Sequence, residues 1–207
     1  LESLVRTTLT NYNTSDLEKF DVIFRYSKVS KLIDDTDPSI LSNIMKVKMA
    51  KSFVTTIGSA SKYTINFTNP LYHPHAGHNT SMGGITTSTG FTVSGNSNTM
   101  YLDDDGNGNI RMYYLVGGTV RTYVNENFGT INYTTGQIVI DSLNVTTTVQ
   151  SGNQITITIL PSSNDILSVR NQVIELDLAN TTVTGGVDTI TSGGSSAGTN
   201  YSTTASY

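Results

Sequence analysis

Three consecutive aspartates stand in the middle of this chain, within the stretch YLDDDGNGNIRMYY at residues 101–114. Asp103, Asp105 and Asn107 occupy alternate positions, and this spacing of oxygen ligands is typical of the first half of a calcium-binding loop. The glutamate that completes an EF-hand shell is absent, because Tyr114 stands at the twelfth position. Apolar residues alternate on both sides of the loop, which indicates strands where that motif needs helices.

The same residues suit the tip of a β-hairpin. Asp, Asn and Gly readily supply the positive φ angles and the hydrogen bonds from side chain to backbone that tight turns require. The sequence therefore predicts a turn between two strands. A weak calcium site at Asp103, Asp105 and Asn107 is the alternative.

All three histidines lie in a second polar segment, NPLYHPHAGH at residues 69–78. His73 and His75 form a His-x-His pair that could share a metal ion, and His78 could add a third ligand. Two prolines and a glycine interrupt the backbone, however, and no acidic residue in the segment can orient the rings. We therefore expect a solvated loop, and we assign no catalytic residue, no cofactor-binding residue and no metal ligand here.

The overall composition excludes several classes of protein. The chain has 207 residues, with 12 Lys and Arg against 16 Asp and Glu, and the net charge of -4 gives no reason to expect nucleic acid as a partner. The absence of cysteine excludes disulfides, thiolate zinc sites and cysteine nucleophiles. No apolar run approaches the roughly 20 residues of a membrane helix, and the first residues lack the apolar core of a signal peptide. Because the sequence begins at Leu1 without methionine, we expect a piece of a longer polypeptide.

The first part of the chain combines helical and strand patterns. Thr14 or Ser15, followed by Glu18, resembles a capping box and predicts the start of a helix. The segment SKVSKLIDD at 27–35 places its apolar residues on one helical face, which predicts a short helix. Apolar residues alternate with polar ones over 45–57, which predicts a half-buried strand.

After residue 60, nearly every segment has the pattern of a strand or a turn. Strands are predicted at 63–67, 85–93, 99–103, 109–115, 119–124, 130–133, 137–141, 154–160 and 172–178. Gly90 is expected to form a bulge, and the residues NEN at 125–127 are expected to form a turn. The predicted fold class is α+β, mostly β, with a short N-terminal helical segment, an antiparallel β meander or sandwich, and an extended Gly/Ser/Thr-rich tail.

Three parts are predicted along the chain: a mixed α/β segment at 1–60, an antiparallel β domain at 61–179, and the tail at 180–207. Fixing the tail backbone costs on the order of 30 kcal/mol. Its few apolar side chains return only about 1.5 to 3 kcal/mol each on burial. The tail is therefore expected to need a template, and strand addition to a neighbouring sheet edge would provide one.

Four segments, taken in order, resemble one family of phage proteins. They are FRYSKVSKLIDDTDPSILSN (24–43), YLDDDGNGNIRMYYL (101–115), GTINYTTGQIVI (129–140) and ILPSSNDILSVRNQVIEL (159–176). Together they resemble the C-terminal part of the baseplate wedge protein of T-even-like contractile-tailed phages, a larger relative of the J-type baseplate proteins. The resemblance spans roughly residues 17–178 and leaves out the large N-terminal portion of that family.

The resemblance implies a structural protein of the virion and not an enzyme. Members of the family pair with themselves and with other wedge proteins, and they join neighbouring wedges into the inner ring of the baseplate. For this chain it implies a homo-oligomer, a dimer within a larger ring, assembled in the host cytoplasm and located in the tail baseplate. The aspartate stretch recurs in the family as a strand-turn-strand element, which favours the turn over calcium.

A carbohydrate-binding or adhesin-like β module, with calcium at the aspartate turn, is the alternative function. Tyr101, Tyr113, Tyr114 and Tyr123 are its candidate platforms for stacking on sugar rings. Alternation along a strand places Tyr113 and Tyr114 on opposite faces, so these two cannot share a platform. Tryptophan, the largest aromatic side chain, is absent.

Overall fold

A computed structural model describes residues 1–78, 84–169 and 172–187. Contacts divide the chain into two compact units that interleave along the sequence. The first, called here the helical unit, contains Leu1–Glu18, Ser27–Asn43 and the residues from Glu175 onward; the second, called the β unit, contains Lys19–Tyr26 and Ile44–Ile174. Among the described residues, no helix has the length and apolar character required to cross a bilayer.

The boundaries predicted at residues 60 and 179 are not tested by this division into units, and they stay predictions. Residues 188–207, which make up most of the predicted tail, lie outside the described part of the chain.

The helical unit is built on two short helices. Helix α1 spans Glu2–Tyr12 and continues into a π-helical turn at Asn13–Leu17, and helix α2 spans Tyr26–Asp34. The buried residues of α1 are spaced four and three apart, so they form one apolar face, and α2 buries two residues four apart. They are Val5, Leu9 and Tyr12 in α1 and Val29 and Ile33 in α2. The helix predicted at 27–35 is thus confirmed.

The capping box predicted at Thr14 or Ser15 is wrong. Both residues lie in the π-helical turn that ends the first helix, so no helix begins there. The Asn13 side chain organises this turn, because its Nδ2 donates to Glu18 Oε1 at 2.6 Å and its Oδ1 accepts the backbone N–H of Leu176 at 2.6 Å. The residues that resemble a capping box, Thr14 or Ser15 followed by Glu18, therefore lie at the end of a helix and not at its start.

Twelve strands occur among the described residues of the β unit. They are β1 (Ile23–Phe24), β2 (Met49–Val54), β3 (Ser61–Asn66), β4 (Thr86–Ser88), β5 (Phe91–Val93), β6 (Asn96–Asp104), β7 (Asn109–Val116), β8 (Val120–Asn132), β9 (Gln137–Leu143), β10 (Val145–Thr148), β11 (Gln154–Ile159) and β12 (Ile166–Leu167). The largest sheet has the order β10-β5-β6-β7-β8-β9-β3, a second sheet has the order β2-β11-β4, and β1 pairs with β12. Neighbouring strands are antiparallel throughout, and β5 to β9 follow one another as a meander, so the predicted fold class is confirmed.

Alternating side chains of these strands supply the core. Residues that are fully buried recur at every second position, as expected for strands with one face turned inward. They include Met100 and Leu102 in β6, Ile138 and Ile140 in β9, and Ile155, Ile157 and Ile159 in β11.

The single strand predicted at 85–93 is wrong, because the chain changes sheets within it. β4 pairs with β11 in the smaller sheet, whereas β5 pairs with β6 and β10 in the larger one. Between them, Thr89 Oγ1 accepts the N–H of Thr156 at 3.0 Å and the Gly90 carbonyl accepts the N–H of Val149 at 2.9 Å. Gly90 therefore lies at a crossing between sheets and not at a bulge inside one strand.

The turn predicted at 125–127 is also wrong, since β8 runs through it. Two register shifts against β7 take up the extra residues, one between Ile110 and Met112 and one between Met112 and Tyr113. Asn125 Oδ1 accepts the N–H of Asn127 at 2.9 Å, a bond typical of turns, but here it lies within a bulged strand.

The strand predicted at 172–178 does not form. Val173 makes only an isolated bridge with Phe20, and the N–H of Leu176 bonds to a side chain and not to a neighbouring strand. Exposure still alternates from residue to residue over this segment, which explains why its sequence has the pattern of a strand.

Replacing isoleucine by alanine is expected to lower the free energy of unfolding much more at a core position than at a surface position. Ile140 is fully buried in β9, and Ile140→Ala should lower the free energy of unfolding by about 2 to 5 kcal/mol, because a cavity is added to the lost burial. Ile44 is 93% exposed, so Ile44→Ala should change it by less than about 0.5 kcal/mol. Urea unfolding of both variants measures this, and equal losses would contradict the position of the core.

Candidate functional site

The three aspartates lie at the junction of β6 and β7, where the structure forms a hairpin. Asp103 is opposite Arg111 and Asp104 is opposite Ile110, and residues 105–108 connect the strands. Gly106 and Gly108 have φ angles of 71° and 105°. The turn predicted from sequence is therefore present.

Asp103 forms the centre of a charged cluster across three strands. Its carboxylate is fully buried and accepts hydrogen bonds from Arg111 Nε at 2.9 Å, Arg121 Nη1 at 3.1 Å and the Tyr123 hydroxyl at 2.9 Å. Arg111 also donates from Nη2 to the Asp104 carbonyl at 2.9 Å. Since Arg111 belongs to β7 and both other donors belong to β8, one carboxylate holds β6, β7 and β8 together.

Burial dominates the electrostatics of this carboxylate. Loss of water raises the pKa of Asp103 above its ordinary value, and the hydrogen bond and charge of Arg111 oppose that rise. The Arg111 side chain is only 8% exposed, so this ion pair is almost completely removed from water. Removing one partner of such a pair leaves an uncompensated buried charge.

Asp104 points to the opposite face of β6 and has different partners. Its Oδ1 accepts the backbone N–H groups of Ile85 and Thr86, both at 2.7 Å. Its Oδ2 accepts the Tyr133 hydroxyl at 2.8 Å and the N–H of Gly106 at 3.3 Å. Burial and the adjacent Asp104 charge raise the pKa of Tyr133, which keeps its phenol protonated as a donor.

Asp105 closes the turn itself. Its Oδ1 accepts the backbone N–H groups of Asn107 at 2.7 Å and Asn109 at 2.9 Å, and its Oδ2 accepts the Asn109 side-chain amide at 2.7 Å. Partial burial would raise the pKa of Asp105, but these hydrogen bonds to the ionised form outweigh it and lower the pKa below its ordinary value.

The carboxylate oxygens of all three aspartates are thus engaged by protein donors. Asp103 and Asp104 are neighbours on a strand, and their side chains diverge to opposite faces. No group of three or more His, Asp or Glu side chains that could hold a metal ion occurs in the ranges that the structure describes. The residues of the calcium alternative, Asp103, Asp105 and Asn107, are distributed between a charged cluster and a turn.

The histidine segment packs against this hairpin. His73 Nε2 lies 2.9 Å from the Gly106 carbonyl oxygen, and its ring stacks on Tyr133 with centroids 4.0 Å apart. The rings of His75 and His78 meet edge to face at 5.2 Å. The segment predicted to be a solvated loop is therefore partly anchored to the aspartate turn.

The sequence analysis missed the cationic partners of Asp103. A hairpin centred on Asn107 pairs residue 103 with residue 111, so Arg111 could have been found from the turn position alone. Arg121 pairs with Leu115, four positions along β7 from Arg111, so strand pairing alone does not predict that its side chain reaches Asp103.

Three of the four tyrosines proposed as sugar platforms, Tyr101, Tyr113 and Tyr123, pack against one another. The rings of Tyr101 and Tyr113 stack at 5.7 Å, Tyr113 and Tyr123 lie 5.8 Å apart, and the Arg121 guanidinium lies over Tyr113 at 4.9 Å. Tyr113 is only 6% exposed. This cluster stabilises the sheet internally and leaves little of the central ring for a ligand.

A family model matches the first part of the chain. Residues 1–52 match the model of baseplate structural protein gp6, C-terminal domain III. The matched residues include α1 and α2 and end within β2. The match supports the resemblance to a baseplate wedge protein of contractile-tailed phages, and it extends that resemblance toward the first residue. Comparison with curated proteins gives no match.

Replacing the buried aspartate by asparagine is expected to destabilise the β unit. Asp103→Asn keeps the volume, but it removes the negative charge and turns an amide N–H₂ group toward donors, so the free energy of unfolding should fall by about 3 kcal/mol. Asp141→Asn is the matched control, because its ion pair with Lys62 is 62% exposed on both sides, and it should cost less than about 1 kcal/mol. Urea unfolding at pH 7 compares them, and similar losses would contradict the role of the cluster.

The hydrogen bonds of Asp105 are expected to contribute a part of the stability that is lost at acid pH. Since the folded pKa of Asp105 lies below its unfolded value of about 3.9, the unfolded chain takes up the proton first as the pH falls. The stabilisation is present above about pH 4 and is lost as the pH falls through the folded pKa. Unfolding of the native protein and of Asp105→Asn at pH 7 and pH 3 tests this: the loss on acidification should be smaller in the variant, and an equal loss would disprove it.

Proposed function

We propose that this chain is a structural subunit of a phage tail baseplate that associates with copies of itself and with other wedge proteins, linking neighbouring wedges into the inner ring. The observation that carries the proposal is the match of residues 1–52 to a structural domain of a baseplate protein. The role is structural and not catalytic, and its place is the virion baseplate.

The charged residues of the β unit support a structural role. Asp103 and Arg111 form hydrogen bonds that join neighbouring strands. His73 contacts the backbone of the adjacent turn. A general base or a nucleophile needs a side chain that can reach a substrate. A buried cluster that cross-links strands instead suits a protein that must keep its shape under mechanical load.

The beginning of the tail supports association through the residues beyond it. Arg6 Nη2 donates to the Thr181 carbonyl at 2.9 Å, and Glu2 Oε1 accepts the N–H of Gly185 at 2.7 Å. These bonds attach residues 181–185 to α1 within the helical unit. Gly185 is therefore a fixed point, and we expect the tail predicted at 180–207 to add beyond it to a sheet edge of another copy.

Association should be measurable on the isolated chain. Light scattering coupled to size-exclusion chromatography at micromolar concentration should give a dimer or a larger species. Deleting residues 188–207 should weaken association while leaving the circular dichroism of the sheets unchanged. The control replaces the same residues by a Gly/Ser sequence of equal length, and it should behave like the deletion. A monomeric native chain would contradict self-association, and an unchanged oligomer after deletion would contradict the role of the tail.

A further inference from the structure

Strand β2 has an open edge. It pairs with β11 on one side, and within the described ranges no strand pairs with its other side. The edges of the larger sheet are more protected: the N–H of Gly58 bonds to Val145 at the β10 edge, and Lys51 Nζ bonds to the Asn66 carbonyl at the β3 edge. The β2 edge therefore offers unused backbone hydrogen-bonding groups.

The ladder shows which residues offer those groups. The N–H of Thr55 donates to the Asn153 carbonyl at 2.8 Å, just beyond the pairing of Val54 with Gln154. In an antiparallel pair, alternate residues point their N–H and C=O groups toward the partner strand. The odd-numbered residues of β2 thus face β11, and Ala50, Ser52 and Val54 direct their backbone groups to the open edge.

Two exposed, positively charged side chains lie next to this edge. Lys46 and Lys48 lie just before β2, both are exposed, and neither has an ion pair or hydrogen bond with the described residues. Apolar side chains lie at both ends of residues 44–54, since Ile44 is 93% exposed and Val54 is 64% exposed. Residues 44–54 thus combine backbone groups without a partner strand, two cations without an ion pair, and two exposed apolar side chains.

Charge decides which occupant suits this edge. Two copies pairing antiparallel about residue 47 would bring four lysines together, and like charges near one another across strands are destabilising. Pairing about residue 51 would place Lys48 and Lys46 opposite the uncharged residues 54 and 56, without an ionic partner. Lysines on an edge strand are a recognised obstacle to self-pairing. An acidic strand would instead gain from the same lysines, because carboxylates at alternate positions lie about 6.7 Å apart on one face, as Lys46 and Lys48 do in an extended chain.

We propose that the β2 edge binds an extended acidic segment of another baseplate protein by strand addition, with carboxylates two residues apart facing Lys46 and Lys48. This inference rests on the proposed function, since it supplies a contact through which the subunit joins an assembly. Backbone hydrogen bonds at Ala50, Ser52 and Val54 would provide affinity, and the lysines would select the partner.

The test uses the full 207-residue chain and a fluorescent, end-capped peptide, Thr-Val-Thr-Val-Thr-Val-Glu-Val-Glu, which in antiparallel pairing spans residues 54 to 46 and places its glutamates opposite Lys48 and Lys46. Anisotropy should show saturable binding that weakens as salt is raised. The same peptide with lysine in place of glutamate should bind at least about tenfold more weakly, as should the acidic peptide to the K46E/K48E double variant. Equal binding of both peptides would overturn the charge argument.

Two variants at one position separate strand addition from simple charge attraction. Ala50→Pro removes the outward N–H and should abolish peptide binding, whereas Ala50→Val retains the N–H and should bind like the native chain. Circular dichroism and urea unfolding confirm that both variants are folded. Retained binding by folded Ala50→Pro would overturn the proposal, and a misfolded Ala50→Pro is replaced by Ser52→Pro with Ser52→Val as its control.

Light scattering on the same variants distinguishes this inference from the proposed function. If the native chain associates and Ala50→Pro dissociates it, the edge pairs with a second copy and the acidic-partner proposal fails while self-association stands. If the native chain is monomeric but binds the acidic peptide through β2, self-association fails and the edge proposal stands. Unchanged self-association in Ala50→Pro, together with lost peptide binding, is the expected result.

Discussion

Two adjacent carboxylates that are both buried impose the main constraint on this fold. Asp103 and Asp104 are at most 1% exposed, and a carboxylate removed from water is costly unless donors surround it. Because neighbouring side chains on a strand point to opposite faces, one set of donors cannot serve both. Asp103 therefore holds β7 and β8, while Asp104 holds the start of β4 and Tyr133, the residue after β8. The positions of four strands follow from satisfying two consecutive residues.

The turn beyond these carboxylates is built into the body of the β unit. The N–H of Gly77 donates to the Gly106 carbonyl at 2.8 Å, and His73 approaches the same oxygen. A side chain at Gly106 would meet the backbone of His78 at 2.6 Å, so glycine is needed for contact as well as for its φ angle of 71°. This explains why residues typical of a surface turn, with the spacing of a calcium loop, are embedded between other segments.

Local chemistry was predictable from the sequence, and long-range register was not. The aspartate turn, helix α2 and most strands follow from residue types within a few positions, because turn preferences and hydrophobic period act locally. The continuity of β8 through Asn125 depends on bulges against β7, and the crossing at Gly90 depends on β10 and β11, which are distant in sequence. The failure of 172–178 to form a strand has the same origin, since the side chain of Asn13 takes the N–H of Leu176. Helix α1 was missed although Val5, Leu9 and Tyr12 already show its apolar spacing.

The interleaved composition of the helical unit has a consequence for biogenesis. Helix α1 is translated long before its partners, because Asn13 and Arg6 bond to Leu176 and Leu178, more than 160 positions later. In the sequence, most of the β unit lies between these segments, and its strands can pair while the remaining residues are still being translated. The residues of α1 can thus reach these contacts only after residue 178 has been made, and a fragment cut at the boundary of the matched family domain would lack the contacts altogether.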